Sequence, residues 1–414
     1  MPYGDNITDG PGYRLWNLVS ELKRRYEVVI LSVHESVYGE LRKEKEIVED
    51  KVLIKAIPYT PTFVAKSIRE EEPDCLLFTP WSSLVFASAV RQYTATVVDY
   101  VGSSLMENLL YPRSNRSMLT SLKLKSFRYG DFMMCTNERQ RYYLLGLYFA
   151  SMRAWKCNRS PEDPIIHVVP MTYPSEPPLI SDVAARKNDE FTILLMGALL
   201  PWYDYETLFK ALHLLNKKTQ AFRLVIMGGN AKTLKFDGTT YVKKLAHDYG
   251  LEDRTTITGL FAFRGRASFY SQADIGLVLG MRTLEDELST RTRILDYLWG
   301  RLPIVTSGND TLSDLAVSRR CGLHFNPGDY ENLFQIFHEL AKERRLLTEY
   351  RKNIESVLQK DLNPSKCLEP LASFLENPKI DTCRQTPFSL TTSLALYLNY
   401  LSGNRLISRI NRTN

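Results

Sequence analysis

Residues 174–197 read PSEPPLISDVAARKNDEFTILLMG. Three prolines crowd the first five positions, a charged run follows, and an apolar stretch then ends on glycine. The proline-rich part cannot sustain a helix or a sheet and reads as a linker. FTILLM, Phe191–Met196, reads as a strand buried on both faces, the kind found inside a parallel sheet. The junction therefore ends one folded body and begins another.

C-terminal to it, helical and strand patterns alternate. Tyr205–Leu215 has helical spacing, FRLVIM (222–227) is a strand ending on Gly228-Gly229, and Tyr241–Tyr249 is helical. Thr255–Thr258, IGLVL (275–279) and PIVT (303–306) are further strands, separated by helices at 266–271 and 293–299. A helix at 311–318 and a short strand at 322–325 lead to a long helix expected over 330–359. N-terminal to the junction the rhythm is the same. Helix 11–25 precedes VVILSV (28–33), and a weaker strand lies at 52–57. Helix 63–72 precedes CLLFT (75–79), helix 82–92 precedes ATVVD (95–99), and a basic helix at 115–128 precedes FMMC (132–135). Helix 138–150 and IIHVV (165–169) close the series. Repeated β-α units of this kind build parallel sheets covered by helices. The expectation is an N-terminal domain over 1–175, a C-terminal domain over 190–360 and a helical, basic tail over 361–414. The first helix follows MPYGDNITDGPG directly, where a doubly wound domain would place a buried strand, so either a first strand is lacking or Met1 is an internal methionine.

Composition narrows the class. At 44% hydrophobic and 24% charged residues, the 414-residue chain can bury two cores. A net charge of +6, with no cationic stripe interleaved with aromatics, argues against a nucleic-acid partner. Six cysteines lie far apart without CxxC or Cys/His pairing, which suits reduced thiols and gives no metal site. No apolar run reaches 18 residues, and no signal peptide is expected. From Thr382 to Asn414 there is no acid and there are four arginines, and FSLTTSLALYLNYL (388–401) is apolar over a length suited to an interfacial or docking helix.

Four segments occur in fixed order: GALLPWYDYETLFKAL (197–212), LVIMGG (224–229), ITGLFAFRGRASFYSQADIGLVL (257–279) and TRTRILDYLWGRLPIVTSGND (290–310). In this they resemble the C-terminal domain of family-4 (group 1) glycosyltransferases of the GT-B fold, closest to a subgroup with PWYD and RTRxLDYxW motifs. The first half is similar to that subgroup at Gly10–Gly12, at VVDYVGSSLMENL (97–109) and at NERQRYYLLGL (137–147). The resemblance spans nearly all of 5–345. It implies an α/β protein of two Rossmann-like doubly wound domains facing across a cleft. It further implies transfer of a sugar from a nucleotide-sugar donor, a substrate and not a cofactor, to a glycan or lipid-linked acceptor. Retention of configuration and no obligatory metal follow from the same likeness; assembly of a polysaccharide or glycolipid would place the protein on the cytoplasmic side at the inner membrane face, where the acid-free, arginine-bearing tail would give peripheral contact with anionic lipid.

The residues to carry this chemistry are assigned by the same resemblance. Gly10 and Gly12 would admit a phosphate at a helix N-terminus. Asp99, ending a strand, would lie near the transferred sugar, with Glu107 and Glu138 as lesser carboxylates. Gly197 would open the phosphate loop, and Gly259, Leu260 and Phe261 would meet the base through backbone. The family's Arg and Lys in the loop after Gly197 are absent here, so Arg291 and Arg293 are the expected diphosphate ligands. In the Glu-x7-Glu motif, Asp296 takes the second place, for the ribose. Leu288 takes the first, so Glu285 or Glu287 would supply the sugar-facing carboxylate. Thr311 opens a helix aimed at the diphosphate. The alternatives are a catalytically silent GT-B protein that binds a glycan or partner, and an epimerase on the same fold.

Overall fold

The computed structural model describes residues 10–34, 45–58, 61–84, 94–110, 115–151, 164–176, 178, 190–218, 221–230, 235–259, 263–381 and 384. They divide into two units, one running to Met171 and resuming at Pro364, the other Thr172–Asn363.

The first unit begins with α1 (Gly10–Leu22), β1 (Val29–His34), β2 (Lys45–Glu49), β3 (Val52–Pro58), α2 (Pro61–Glu71) and β4 (Cys75–Phe78). It continues with β5 (Ala95–Asp99), α3 (Ser104–Leu110), α4 (Arg116–Ser126), β6 (Phe132–Cys135), α5 (Glu138–Ala150) and β7 (His167–Val168). These strands form two sheets, β1-β3-β2 and β4-β5-β6-β7, in place of the single sheet expected. Packing joins them instead of hydrogen bonds. Leu18 and Leu22 of α1 share a cluster with Cys75, Leu77 and Val97 of the second sheet. Val19, Leu15 and Trp16 share another with Ile30 and Ile54 of the first. On α2, Val64, Ala65 and Ile68 gather Leu31 of β1 and Leu76 of β4. Neighbouring residues of a strand point to opposite faces, so α1 and α2 cover opposite sides of both sheets.

The hairpin β2–β3 turns at Asp50 and Lys51, both left-handed at φ 51° and 65°, as a two-residue turn between right-twisted strands requires. The sequence gives no sign of β2, because KEIVE is charged and only Ile47 and Val48 are apolar; pairing with β3 makes it a strand.

The second unit contains β8 (Phe191–Met196), α6 (Tyr205–Lys217), β9 (Phe222–Met227), α7 (Gly238–Asp248), β10 (Thr255–Ile257), α8 (Ala267–Gln272) and β11 (Ile275–Val278). After these come α9 (Leu284–Leu288), α10 (Thr292–Trp299), β12 (Ile304–Thr306), α11 (Thr311–Ser318), β13 (Gly322–His324), α12 (Tyr330–Lys342) and α13 (Arg344–Lys360). Six parallel strands run in the order β10-β9-β8-β11-β12-β13. Strand order reverses between β8 and β11, the position where α/β sheets bind ligands at their C-terminal edge. The single helix expected over 330–359 is broken at Glu343 (φ −103°, ψ 67°). The break lets Phe337 and Leu340 before it, and Leu347 and Tyr350 after it, enter one core.

The segment from 361 onward does not stand apart throughout. Its helices α14 (Pro364–Cys367) and α15 (Glu369–Glu376) belong to the first unit. Leu368 and Leu371 enter the α1 cluster, and Arg384 donates to Asp131 (2.5 Å) and to the Thr94 carbonyl (2.8 Å). The apolar stretch 388–401 lies outside the described residues.

Candidate functional site

At the reversal point of the second unit, β8 ends on Gly197, whose φ of +106° is left-handed. A side chain here would be strained, and its Cβ would come 3.2 Å from Nη2 of Arg293. The missing side chain leaves room for the guanidinium. Arg293 comes from the first turn of α10, stacks over the Tyr203 ring at 4.7 Å and donates from Nη2 to the Tyr203 hydroxyl at 2.5 Å. Its Nη1 is enclosed and has no hydrogen-bond partner within the protein. A buried guanidinium N–H without an acceptor is costly, and phosphate or carboxylate oxygen satisfies it best. The PWYD motif builds this place: Tyr203 anchors the arginine, and Asp204 caps α6 through the Thr207 amide (3.1 Å) and accepts from the Gly328 amide (2.8 Å).

The other expected donor ligands are held differently. Arg291 donates from Nη2 to Glu285 and to Asp286, both at 2.8 Å, and from Nε to Asp286 at 3.2 Å. Its charge is matched within the protein, so it is a strut between α9 and α10 and not a second open clamp. Glu285 is buried in this network, whereas Glu287 is exposed on the other side of α9. Asp286, which sequence reasoning passed over, is the hub. It is fully enclosed and also accepts from the Asn309 amide at 2.7 Å. Three acids within TLEDEL give no sequence signal to separate hub from surface; only the turn of α9 does.

Asp296 is likewise occupied. It accepts from Nε of Arg266 at 3.2 Å with both side chains buried, and Arg266 lies over Trp299 at 4.6 Å. Thr311 is the first residue of α11, but the loop before it spends its amides internally. Gly308 donates to Thr306 Oγ1 (3.0 Å), Asn309 to Asp286, and Leu312 to Asp310 (3.0 Å). Burial raises the Asp310 carboxyl above its usual range, a shift opposed by the Ser313 hydroxyl bonded to it. Gly259 follows β10 in a left-handed conformation (φ 73°); Leu260 and Phe261 lie outside the described residues.

In the first unit, Gly10 and Gly12 lie inside the first turn of α1 and not in a loop before it. Asp99 ends β5 fully buried, accepting from Arg14 Nε (2.7 Å) and Thr79 Oγ1 (2.9 Å). Arg14 also donates to the Val169 carbonyl at 3.0 Å, so this pair ties α1 to the strand ends. Asp99 Oδ1 and Arg14 Nη2 are enclosed without a hydrogen-bond partner. Glu107 lies on α3, within 3.3 Å of a Cβ at Gly102, and Glu138 opens α5 beside Arg141 (3.2 Å). A second buried charge went unnoticed in the sequence: Lys123, inside a basic helix, points inward. Its Nζ has no hydrogen-bond acceptor and lies 5.0 Å from the Trp81 ring and 5.8 Å from those of Tyr100 and Tyr143. Burial pushes its pKa down to about 7, against the pull of Glu107.

The family model of glycosyl transferases group 1 matches residues 178–357. The chain thus carries a glycosyltransferase group 1 domain, and its α/β architecture is that of the GT-B glycosyltransferases. Among solved structures, a sucrose-phosphate synthase from Thermosynechococcus elongatus is similar at 14% identity and TM-score 0.68, over 90% of this chain and 94% of that one. Anabaena Alr3699/HepE, in complex with UDP and glucose, is similar at 13% identity and TM-score 0.64, over 89% and 96%. A trehalose-6-phosphate structure from E. coli bound with UDP-2-fluoro glucose is similar at 12% and 0.61, over 92% and 97%. No curated protein matches the chain by sequence.

Proposed function

We propose that the protein transfers a sugar from a UDP-sugar to a glycan or lipid-linked acceptor, with retention of configuration and without a metal ion, in the assembly of a surface polysaccharide or glycoconjugate on the cytoplasmic side. The observation that carries this reading is Arg293: an enclosed guanidinium N–H with no acceptor, set over a side-chain-free Gly197 at the strand reversal of a group 1 domain. The leaving diphosphate gains negative charge as the glycosidic bond breaks, and a fixed arginine that needs no reorganisation stabilises that charge most in the transition state. The arginine that the family keeps in the loop after Gly197 is here supplied from α10, with Tyr203 as its brace. UDP as the nucleotide rests on the similar structures that hold it.

The test is binding of UDP, GDP, dTDP and CDP, then release of UDP from UDP-sugars with and without EDTA. Arg293→Gln should weaken UDP binding about 10- to 100-fold, the effect of one charged hydrogen bond. Equal binding by wild type and variant would remove Arg293 from the site. The internal pairing of Arg291 and Asp296 favours a second reading, a GT-B protein that binds without turnover. UDP binding with no release from any UDP-sugar or acceptor mixture would select it.

A further inference from the structure

The two sheets of the first unit meet at a gap. β1 is the outer strand of one and β4 the outer strand of the other. Among the described residues, no strand bonds to the free edge of either. α1 lies over one side of the gap and α2 over the other, since each gathers apolar side chains from both sheets. Two backbone edges and two apolar helix faces thus bound the space. Inner strands of a parallel sheet are fully enclosed, as β5 and β6 are. β1 and β4 are not: Val29, Leu31, Cys75, Leu76 and Leu77 are only half-buried. Open strand edges beside half-buried apolar side chains are a template for one more strand. Its side chains would point alternately at α1 and α2, so it must be apolar on both faces.

The chain brings such a segment to the mouth of this gap. α15 packs Phe374 and Leu375 against Cys75 and Leu77 of the second sheet. Glu376, its last residue, pairs with Arg25 at 3.9 Å, just ahead of β1. The Asp381 amide then donates to Asp131, ahead of β6, and Arg384 donates to the Thr94 carbonyl, ahead of β5. Residues 376–384 therefore cross the N-terminal ends of the strands, from one sheet to the other. Ten residues beyond Arg384 begins LALYL (394–398), apolar at every position and of a length between the four residues of β4 and the six of β1. Ten extended residues reach about 33 Å, whereas the gap lies about 10 Å, two strand spacings, from the start of β5. A segment that enters there runs parallel to both edges.

We propose that residues 394–398 enter the gap as an extended strand between β1 and β4, joining the two sheets into one. This replaces the helix expected over 388–401, because only an extended chain can satisfy the backbone groups on the open edges of β1 and β4. The strand docks without any nucleotide, so its failure would leave the donor chemistry untouched.

Diazirine-bearing residues placed one at a time at 394–398 of the full chain test it, with each photoproduct mapped by mass spectrometry. Products from 394, 396 and 398 should fall on one of α1 and α2, and those from 395 and 397 on the other, the alternation of a strand. Deleting 385–414 should speed hydrogen exchange at the β1 and β4 amides about 10-fold or more, as at an open edge, and leave 191–342 unchanged. The variant L394D/L396D/L398D should do the same in a chain of full length. Three outcomes would overturn the proposal: products confined to one helix or absent from both; products that join two chains, which would give the gap to a second copy; or β1 and β4 exchange that both the deletion and the triple variant leave unchanged.

Discussion

The two units solve one architectural problem in different ways. In the second, the central strand β8 bonds to β9 on one side and β11 on the other, so six strands form one hydrogen-bonded sheet. In the first, β1 and β4 each stand at the edge of a separate sheet, and the helices α1 and α2 span the gap with apolar side chains on both faces. Backbone pairing is local, directional and intolerant of displacement. Side-chain packing is additive and yields by degrees. The second unit should therefore fail sharply at a single crowded backbone position, and the first through loss of the contacts that clamp its two sheets.

The largest expected effect is in the second unit. A Cβ at Gly322 would land on the Ile304 carbonyl of the adjacent strand. Gly322→Val should cost more than about 4 kcal/mol and abolish amide protection throughout 191–342 in hydrogen exchange, while 10–150 stays protected. Protection lost equally in both would show that the units fold as one.

Next is the clamp of the first unit. Arg14→Ala leaves Asp99 buried and unpaired and should destabilise by about 3 kcal/mol. Exchange should rise first at α1, β5 and β7, with the second unit unaffected. Retained protection there would show that apolar contacts alone hold the sheets together.

A smaller effect, of opposite sign, comes from Lys123. Removing an unpaired buried charge in favour of a similar apolar shape should stabilise the first unit by about 2 kcal/mol at pH 7 in Lys123→Met. The folded-state pKa of Lys123, about 7, lies below the ordinary lysine value of 10.5. Between those values the unfolded chain holds the proton and the folded one does not, so wild-type stability rises with pH across this window. The gap between variant and wild type should narrow from pH 7 to pH 10. A constant gap would mean that the amine stays charged in its aromatic box. Smallest is the Asp204 cap: Asp204→Ala should cost about 1 kcal/mol in the second unit alone, read as a modest shift in chemical denaturation.

Much of this fold was legible in the chain. Strands such as FTILLM and FRLVIM, buried on both sides, show as unbroken apolar runs, and glycines at their ends show where loops turn toward a ligand edge. β2 was hidden because its strand character comes from its partner, and the break at Glu343 because helical periodicity runs on through it. At the site, sequence order led to Gly197, Arg291 and Arg293. It could not separate the two arginines, since both sit in TRTR and chemistry alone suits either. Nor could it show that Asp286, between two acids that drew attention, would be the hub.

By itself the sequence determined what short-range chemistry and periodicity encode: two β-α series, their junction, the group 1 signature segments, the absence of paired cysteines, and the acid-free basic helix. Only the tertiary structure decided which charges are consumed. Arg291 is spent on Glu285 and Asp286 and Asp296 on Arg266, while Arg293 keeps one N–H unsatisfied, the Arg14–Asp99 pair keeps one such atom on each side chain, and Lys123 is turned inward. The physical reason is that a charge's role depends on its partner and its distance from water. Those are set by residues up to 156 positions away, which no local pattern in the chain records.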